Sequence, residues 1–262
     1  MTSINAGGAF YRVQNSLNQN SESVSKSMQR LASGLQNTAP GDRSASTAVA
    51  FGMKGELASL KVGIQNATEA LQVMEMANND IGLLNDLMVR FEELNALGEN
   101  ALNSASDITA ITAEATAMMT EYTRIVADAE WKGNEAFGAG TSVGFGRNGG
   151  AITLTAGTAP VLTITAATIA AGTADAALIV DKGVLDGASV TAGAAYNTVS
   201  NTLSHLSSLK AGYSLDVASK MDVDFAGETT ELAKGQILAQ AGTAMLAQAN
   251  AQGQGMLALI QS

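Results

Sequence analysis

Few residues in this 262-residue sequence are of a type and spacing that chemistry could use. His205 is the single histidine, flanked by Ser204 and Leu206 on a helical pattern, with no partner in reach to make it a general base. One histidine cannot form the two-histidine H-E-x-x-H zinc motif. There is no cysteine, which excludes a disulfide framework, a thiolate metal site and a Cys nucleophile. Glu92 and Glu93 are adjacent on a helix and so do not face one substrate. Asp222 and Asp224 could pair as ligands, but a solvated link is the favoured reading. Gly144-Phe145-Gly146 lacks the strand–turn–helix setting of a dinucleotide fingerprint. No catalytic residue, metal site or cofactor is therefore expected, and an enzyme is the weakest reading.

The charge balance is acidic, 14 Lys+Arg against 24 Asp+Glu, and no basic cluster is present, which argues against nucleic acid as a partner. The N-terminus lacks the basic and apolar regions of a Sec-type leader. No membrane insertion is expected, because the best apolar stretch, 151–174, is broken by Thr, Gly157, Gly172 and Pro160. The last 28 residues, 235–262, contain no charged side chain, although the whole chain carries net charge −10. A surface helix normally keeps a charged face toward water, and this segment has none to offer.

The elements that would position these residues are mostly helical. Leu17, Val24, Met28, Leu31 and Leu35 make an a/d seam over 12–35, with Ser21 filling one slot. NTAPGD at 37–42 is a turn. Leu57, Leu60, Ile64, Ala67, Leu71 and Met74 alternate spacings of three and four. Asn78, Ile81, Leu84, Met88, Phe91 and Leu94 continue the pattern after a phase slip near 78–84. The 57–97 stretch predicts a helix of roughly 60 Å, which needs partners along its length. A third helix is expected over 107–128, introduced by an N-cap in SASD. The Gly/Thr/Val-rich segment from 131 to about 194 predicts a small β-hairpin region, with Ile152-Thr-Leu-Thr and Leu162-Thr-Ile-Thr as arms around an AGTAP turn. Helix returns near Ala195, carrying Leu203 and Leu206, and the neutral tail follows. The expected class is mainly α: a long coiled-coil-like helical rod with paired terminal helices and a small central β-hairpin region.

Three separated segments carry a family resemblance. RLASGLQNTAPGD (30–42) resembles the R-L-S/A-S-G-L segment of bacterial flagellins, DVDFAGE (222–228) their Asp-x-Asp-Tyr/Phe-Ala-x-Glu link, and QILAQAGTAMLAQANAQ (236–252) their C-terminal signature. The resemblance implies a short flagellin without the large outer domains: a homo-polymer of many copies forming the flagellar filament, outside the cell, after export through the flagellar type III channel. It implies an inner terminal-helix domain of 1–43 plus 225–262, and a rod domain of 44–224 with its β-rich insert at about 131–194. Self-assembly would use Leu17, Val24, Met28, Leu31, Leu35, Leu238, Met245, Leu246, Leu257 and Ile260. The rod seam would be Leu57, Leu60, Ile64, Leu71, Met74, Leu203 and Leu206. In the free monomer the neutral ends are expected to be disordered and to order on assembly.

By resemblance the further partners are an export chaperone, cap and hook-associated proteins, and a host Toll-like receptor contacting Arg90, Leu94 and Glu114. Glu92 stands where receptor-active members have a second Arg, and rod packing is the preferred role for these three residues. Other departures are Pro40-Gly41-Asp42-Arg43 in place of adjacent acidic residues, Phe225 for a phenol, and Gly253 for a proline. Two alternatives stay open here: a hook–filament junction protein of the same apparatus, and a secreted amphipathic-helix effector. The effector should have basic polar faces and aromatic anchors, which the terminal segments lack.

Overall fold

The structure is a computed structural model that describes residues 6–39, 41–146 and 150–261, with side chains described from 10 to 251 and at 254 within those ranges. Pro40 of the predicted turn, and the side chains of Leu257 and Ile260, lie outside what is described. Among the described residues, six helices and two strand pairs follow in the order α1 (Ala6–Ser33), α2 (Ser44–Gly98), α3 (Ala105–Asp128), β1 (Glu130–Trp131), β2 (Asn134–Glu135), β3 (Thr141–Gly144), β4 (Ala151–Leu154), α4 (Ala166–Ala170), α5 (Asp175–Met221) and α6 (Phe225–Gln261). The chain is thus mainly α, with long helices and small antiparallel hairpins. It divides into two compact units, Met1–Gly55 with Tyr213–Ser262, and Glu56–Gly212.

In the unit formed by the chain ends, α1 packs on α6. Gly34 stops α1: its φ of 70° suits a left-handed cap, and its N–H donates to Arg30 O at 2.8 Å. The loop that follows is clasped to the α5–α6 link by main-chain bonds, Val223 N to Gly34 O at 3.0 Å and Gln36 N to Met221 O at 2.7 Å. Asp224 accepts from Ala226 N and Gly227 N at 3.1 and 3.2 Å, so it serves as the N-cap of α6.

The second unit is organised by α2. Leu60, Gly63, Ala67, Ala70, Met74, Ala77, Ile81, Leu84, Met88 and Phe91 are buried at unbroken spacings of three and four. The expected phase slip near 78–84 is absent. Gly63, Ala70 and Ala77 complete the stripe, and Ile64 and Leu71 flank it half-buried. Large side chains drew the predicted seam aside; the small ones mark where neighbours come closest. At Gly63 an added methyl would strike Phe145 O, so the Gly144-Phe145-Gly146 loop is an anchor of the hairpin on α2, helped by Asn66 Nδ2 donating to Gly144 O at 2.8 Å.

Two expectations for the central region are corrected. Ile152-Thr-Leu-Thr pairs with 141–144, Thr141 opposite Leu154 and Gly144 opposite Ala151, and not with 162–165. The amides of Thr163 and Ile164 instead donate to the buried Asp181 carboxylate at 2.8 to 3.1 Å, which leaves no ladder for that segment to join. Helix α5 begins at Asp175, twenty residues before Ala195. Its first part carries Gly183, Gly187 and Gly193 among Val180, Val184 and Val190, which lower its propensity. Burial of Leu178, Asp181, Leu185, Ala188 and Ala192 at helical spacing overrides that preference.

Helix α3 starts in a capping box in which Ser104 and Asp107 satisfy each other's backbone. Along its length the hydroxyls of Thr109, Thr112, Thr116, Thr120 and Thr123 each donate to the carbonyl four residues earlier, at 2.7 to 2.9 Å.

Candidate assembly surfaces

The seam between α1 and α6 is made of branched side chains against glycines. On α6 the stripe facing α1 is Leu232, Gly235, Ala239, Gly242 and Leu246, at spacings of three and four. A methyl added to Gly235 would stand 2.5 Å from Val24 Cγ2, and one added to Gly242 2.6 Å from Leu17 Cδ2. Each glycine costs a helix about 1 kcal/mol relative to alanine, and close approach of the two backbones is what the seam gains from it. Between these contacts Asn20 Nδ2 donates to Gly235 O at 2.7 Å. Asn20 and the buried Ser27 hold the slots that the sequence assigned to Ser21 and Met28; both lie outside the seam, and Met28 is exposed.

Of the predicted assembly residues, Leu17 and Val24 therefore meet α6 directly, while Leu31, Leu35 and Leu246 are half-buried. Leu238 borders the seam and is exposed, as are Met245 and Ile237. A groove of about 270 Å³, lined by Val13, Leu17, Asn20 and Leu238, runs beside the seam. From Gly235 onward α6 thus has one face filled by α1 and, among the described residues, another carrying Ile237 and Met245 that stays exposed.

Charge in this unit gathers at the clasp. Lys26 Nζ lies 2.5 Å from Asp42 Oδ1, and Arg30 reaches Asp42 at 3.9 Å and Glu228 at 3.6 Å. The hydrogen bond from Lys26, then that from the Ala39 amide, holds the Asp42 carboxyl below its ordinary range. Sequence reasoning treated the PGDR stretch as a departure; Asp42 within it faces Lys26 and Arg30, which stand one helical turn apart.

In the second unit Leu60 and Met74 are fully buried and Leu206 nearly so, whereas Leu57, Ile64, Leu71 and Leu203 are half-buried. Arg90 is exposed and held by Glu93 and Glu114, each at 2.6 Å, which raises its pKa, while Leu94 is buried. Glu92 pairs with Lys182 at 3.3 Å, and His205 is exposed on α5. Trp131 and Lys132 both donate to Glu69, which lowers its pKa, chiefly through the Lys132 contact. Asn95, which the sequence reading passed over, is buried and pins the start of α5 through Asp175 and Ala174 N. Among the described residues no group of three or more His, Cys, Asp or Glu is placed to hold a metal, and no helix is long and apolar enough to cross a membrane.

Comparison with known proteins agrees with this architecture. The description "Bacterial flagellin N-terminal helical region" matches residues 4–141, and "Bacterial flagellin C-terminal helical region" matches 184–260. Flagellin FlaB2 of Treponema pallidum (strain Nichols) is 28% identical over 280 residues, covering 95% of this chain and 96% of that protein. The flagellar filament 33 kDa core protein of Treponema phagedenis is 28% identical over 293 residues, 98% and 99% of the two chains. Flagellin of Bacillus subtilis (strain 168) is 27% identical over 304 residues, again 98% and 99%. With both helical regions matched, in order and at the two ends that form the α1–α6 pair, this chain belongs to the bacterial flagellin family.

Proposed function

We infer that the chain is a structural subunit of the extracellular bacterial flagellar filament, a homo-polymer that grows by adding copies. The observation that carries this is α6 from Gly235 onward, a stretch with no charged residue of its own: its glycine stripe is filled by α1, and Ile237, Leu238 and Met245 are left exposed. Such a face is stable only when covered, and further copies of the same helix pair are the natural cover. Repetition of one heterologous contact that does not close produces an open helical polymer.

On this reading 1–43 with 225–262 form the inner domain and 44–224 the rod domain. The predicted assembly residues line the first and the predicted seam residues the second. The terminal pair completes its burial only in the polymer, so ordering of the ends is coupled to assembly. The chain performs no enzymatic reaction. Partners at the stages of export and capping are a chaperone, cap and hook-associated proteins. A host receptor would read Arg90 and Glu114 already neutralised by their own ion pairs, which supports a packing role for that face.

The test is electron microscopy of purified monomer incubated with short filament seeds, beside a version truncated after Lys234. The intact chain should elongate the seeds and the truncated chain should not. An intact chain that stays monomeric, with protease-resistant ends, would refute the subunit reading.

A further inference from the structure

The thioether sulfur of methionine is oxidised where solvent reaches it, with no activating base required. Cover separates the described methionines. Met74, Met88 and Met221 are buried, and Met53, Met76, Met118 and Met119 are half-buried. Among the described residues only Met28 and Met245 are exposed, at 53% and 65%. Both belong to the unit formed by the chain ends.

Their settings along the chain differ. Helix α1 carries Arg12, Glu22, Lys26 and Arg30, so Met28 sits on a helix that is already hydrated through its charges. Met245 stands eleven residues beyond Lys234, the last charged residue of the sequence, roughly 16 Å along α6. It directly precedes Leu246, a member of the stripe that packs on α1. Its sulfur is therefore reachable in the free chain, on a stretch of helix whose exposed side chains call for apolar cover.

We propose that Met245 is a modification site for peroxide-type, two-electron oxidants, and that its sulfoxide bars a free copy from joining the polymer; the inference rests on the filament reading above. A lone pair on the sulfur attacks one peroxide oxygen, the O–O bond breaks as the S–O bond forms, and the departing hydroxide takes up the remaining proton as water. The sulfur loses two electrons and the peroxide gains them. A pliable apolar side chain becomes a polar one with a strong acceptor oxygen. Covering that oxygen costs more than covering a thioether, so the modified face loses what burial would return. Met28 takes up the same oxygen with little effect, on a helix that is already polar. A copy in place has its tail covered, so the modification sorts free copies and spares assembled ones. Reduction of the sulfoxide restores the thioether and makes the block reversible.

The test uses Met256→Leu in every chain, which leaves Met245 as the one methionine of α6. Monomer treated with dilute hydrogen peroxide and then freed of it should carry a sulfoxide at Met245 by peptide mass spectrometry. It should elongate untreated seeds about tenfold more slowly. Methionine sulfoxide reductases A and B should restore the rate. Monomer with Met245→Leu, a volume-conserving change, should elongate at one rate before and after the treatment, whereas Met28→Leu should stay sensitive. In assembled filaments the same dose should leave Met245 unmodified. A Met245 sulfoxide monomer that elongates seeds at the untreated rate would overturn the proposal. So would equal sensitivity of the Met245→Leu chain, or equal oxidation of Met245 in filaments. Untreated chains that never elongate seeds would remove the filament reading itself, whereas elongation that peroxide leaves unchanged would remove only the oxidation switch.

Discussion

Asn95 has both ends of its amide engaged at the foot of α5, Nδ2 donating to Asp175 Oδ1 at 2.6 Å and Oδ1 accepting from Ala174 N at 2.9 Å, with 2% of its surface exposed. Asn95→Leu would leave the Ala174 amide unpaired, and should cost about 2–3 kcal/mol, read as a lower urea midpoint at unchanged slope. Tyr122 is a second sensitive residue. Burial, and next the charge of Asp181, push its phenol up to about 12. The folded state therefore keeps its proton where the unfolded chain has lost it, so this contribution is present below pH 10 and disappears as pH rises through 12. In a spectroscopic titration one of the four tyrosines should ionise last, near pH 12 or together with unfolding. The partner of neither residue was legible in the sequence. A lone Asn inside an apolar heptad and a Tyr on a helix look like ordinary fillers, and only the partners 80 and 59 positions later, Asp175 and Asp181, give them a role.

At the level of elements, the glycine stripe of α6 decides how the terminal helices meet. Gly235→Val would push a branched side chain into stiff Val24 and should destabilise the α1–α6 pair by about 1–3 kcal/mol, seen as slower seed elongation with little change in the rod helices by circular dichroism. The clasp adds a pH dependence. The Asp42 pKa is depressed, so its contribution is present above the ordinary value of 3.8 and is lost as pH falls below it. Asp42→Asn should narrow the difference in melting temperature between pH 5 and pH 3 relative to the parent chain. Element identity was legible wherever large apolar residues recur at helical spacing, as in α1, α2 and the later half of α5. The α1 seam was misplaced by one residue because Asn20 and Ser27 are polar and Met28 is not. The early start of α5 was hidden by its Gly and Val residues, whose local preference yields to packing through Leu178, Leu185 and Ala188. The hairpin partner of 151–154 was misread as 162–165 because that segment alternates clearly, while the true partner, Thr141–Gly144, does not, and a buried aspartate far along the chain takes the amides of 163 and 164.

For the whole molecule, the neutral tail was the most legible feature. A helical stretch without charge in an acidic chain calls for cover, and Ile237, Leu238 and Met245 stay exposed. What periodicity could not reveal was which face α1 already takes, since glycines have no side chain to count. A related consequence follows from α3. The hydroxyls of Thr109, Thr112, Thr116, Thr120 and Thr123 are all committed to their own helix, so a face that counts as polar in composition meets its surroundings largely through methyl groups. Water released from such a surface leaves with an entropic gain and a negative heat-capacity change. Contacts made through it should therefore tighten as the solution warms from the cold, and filaments held partly by this face should shed subunits on chilling.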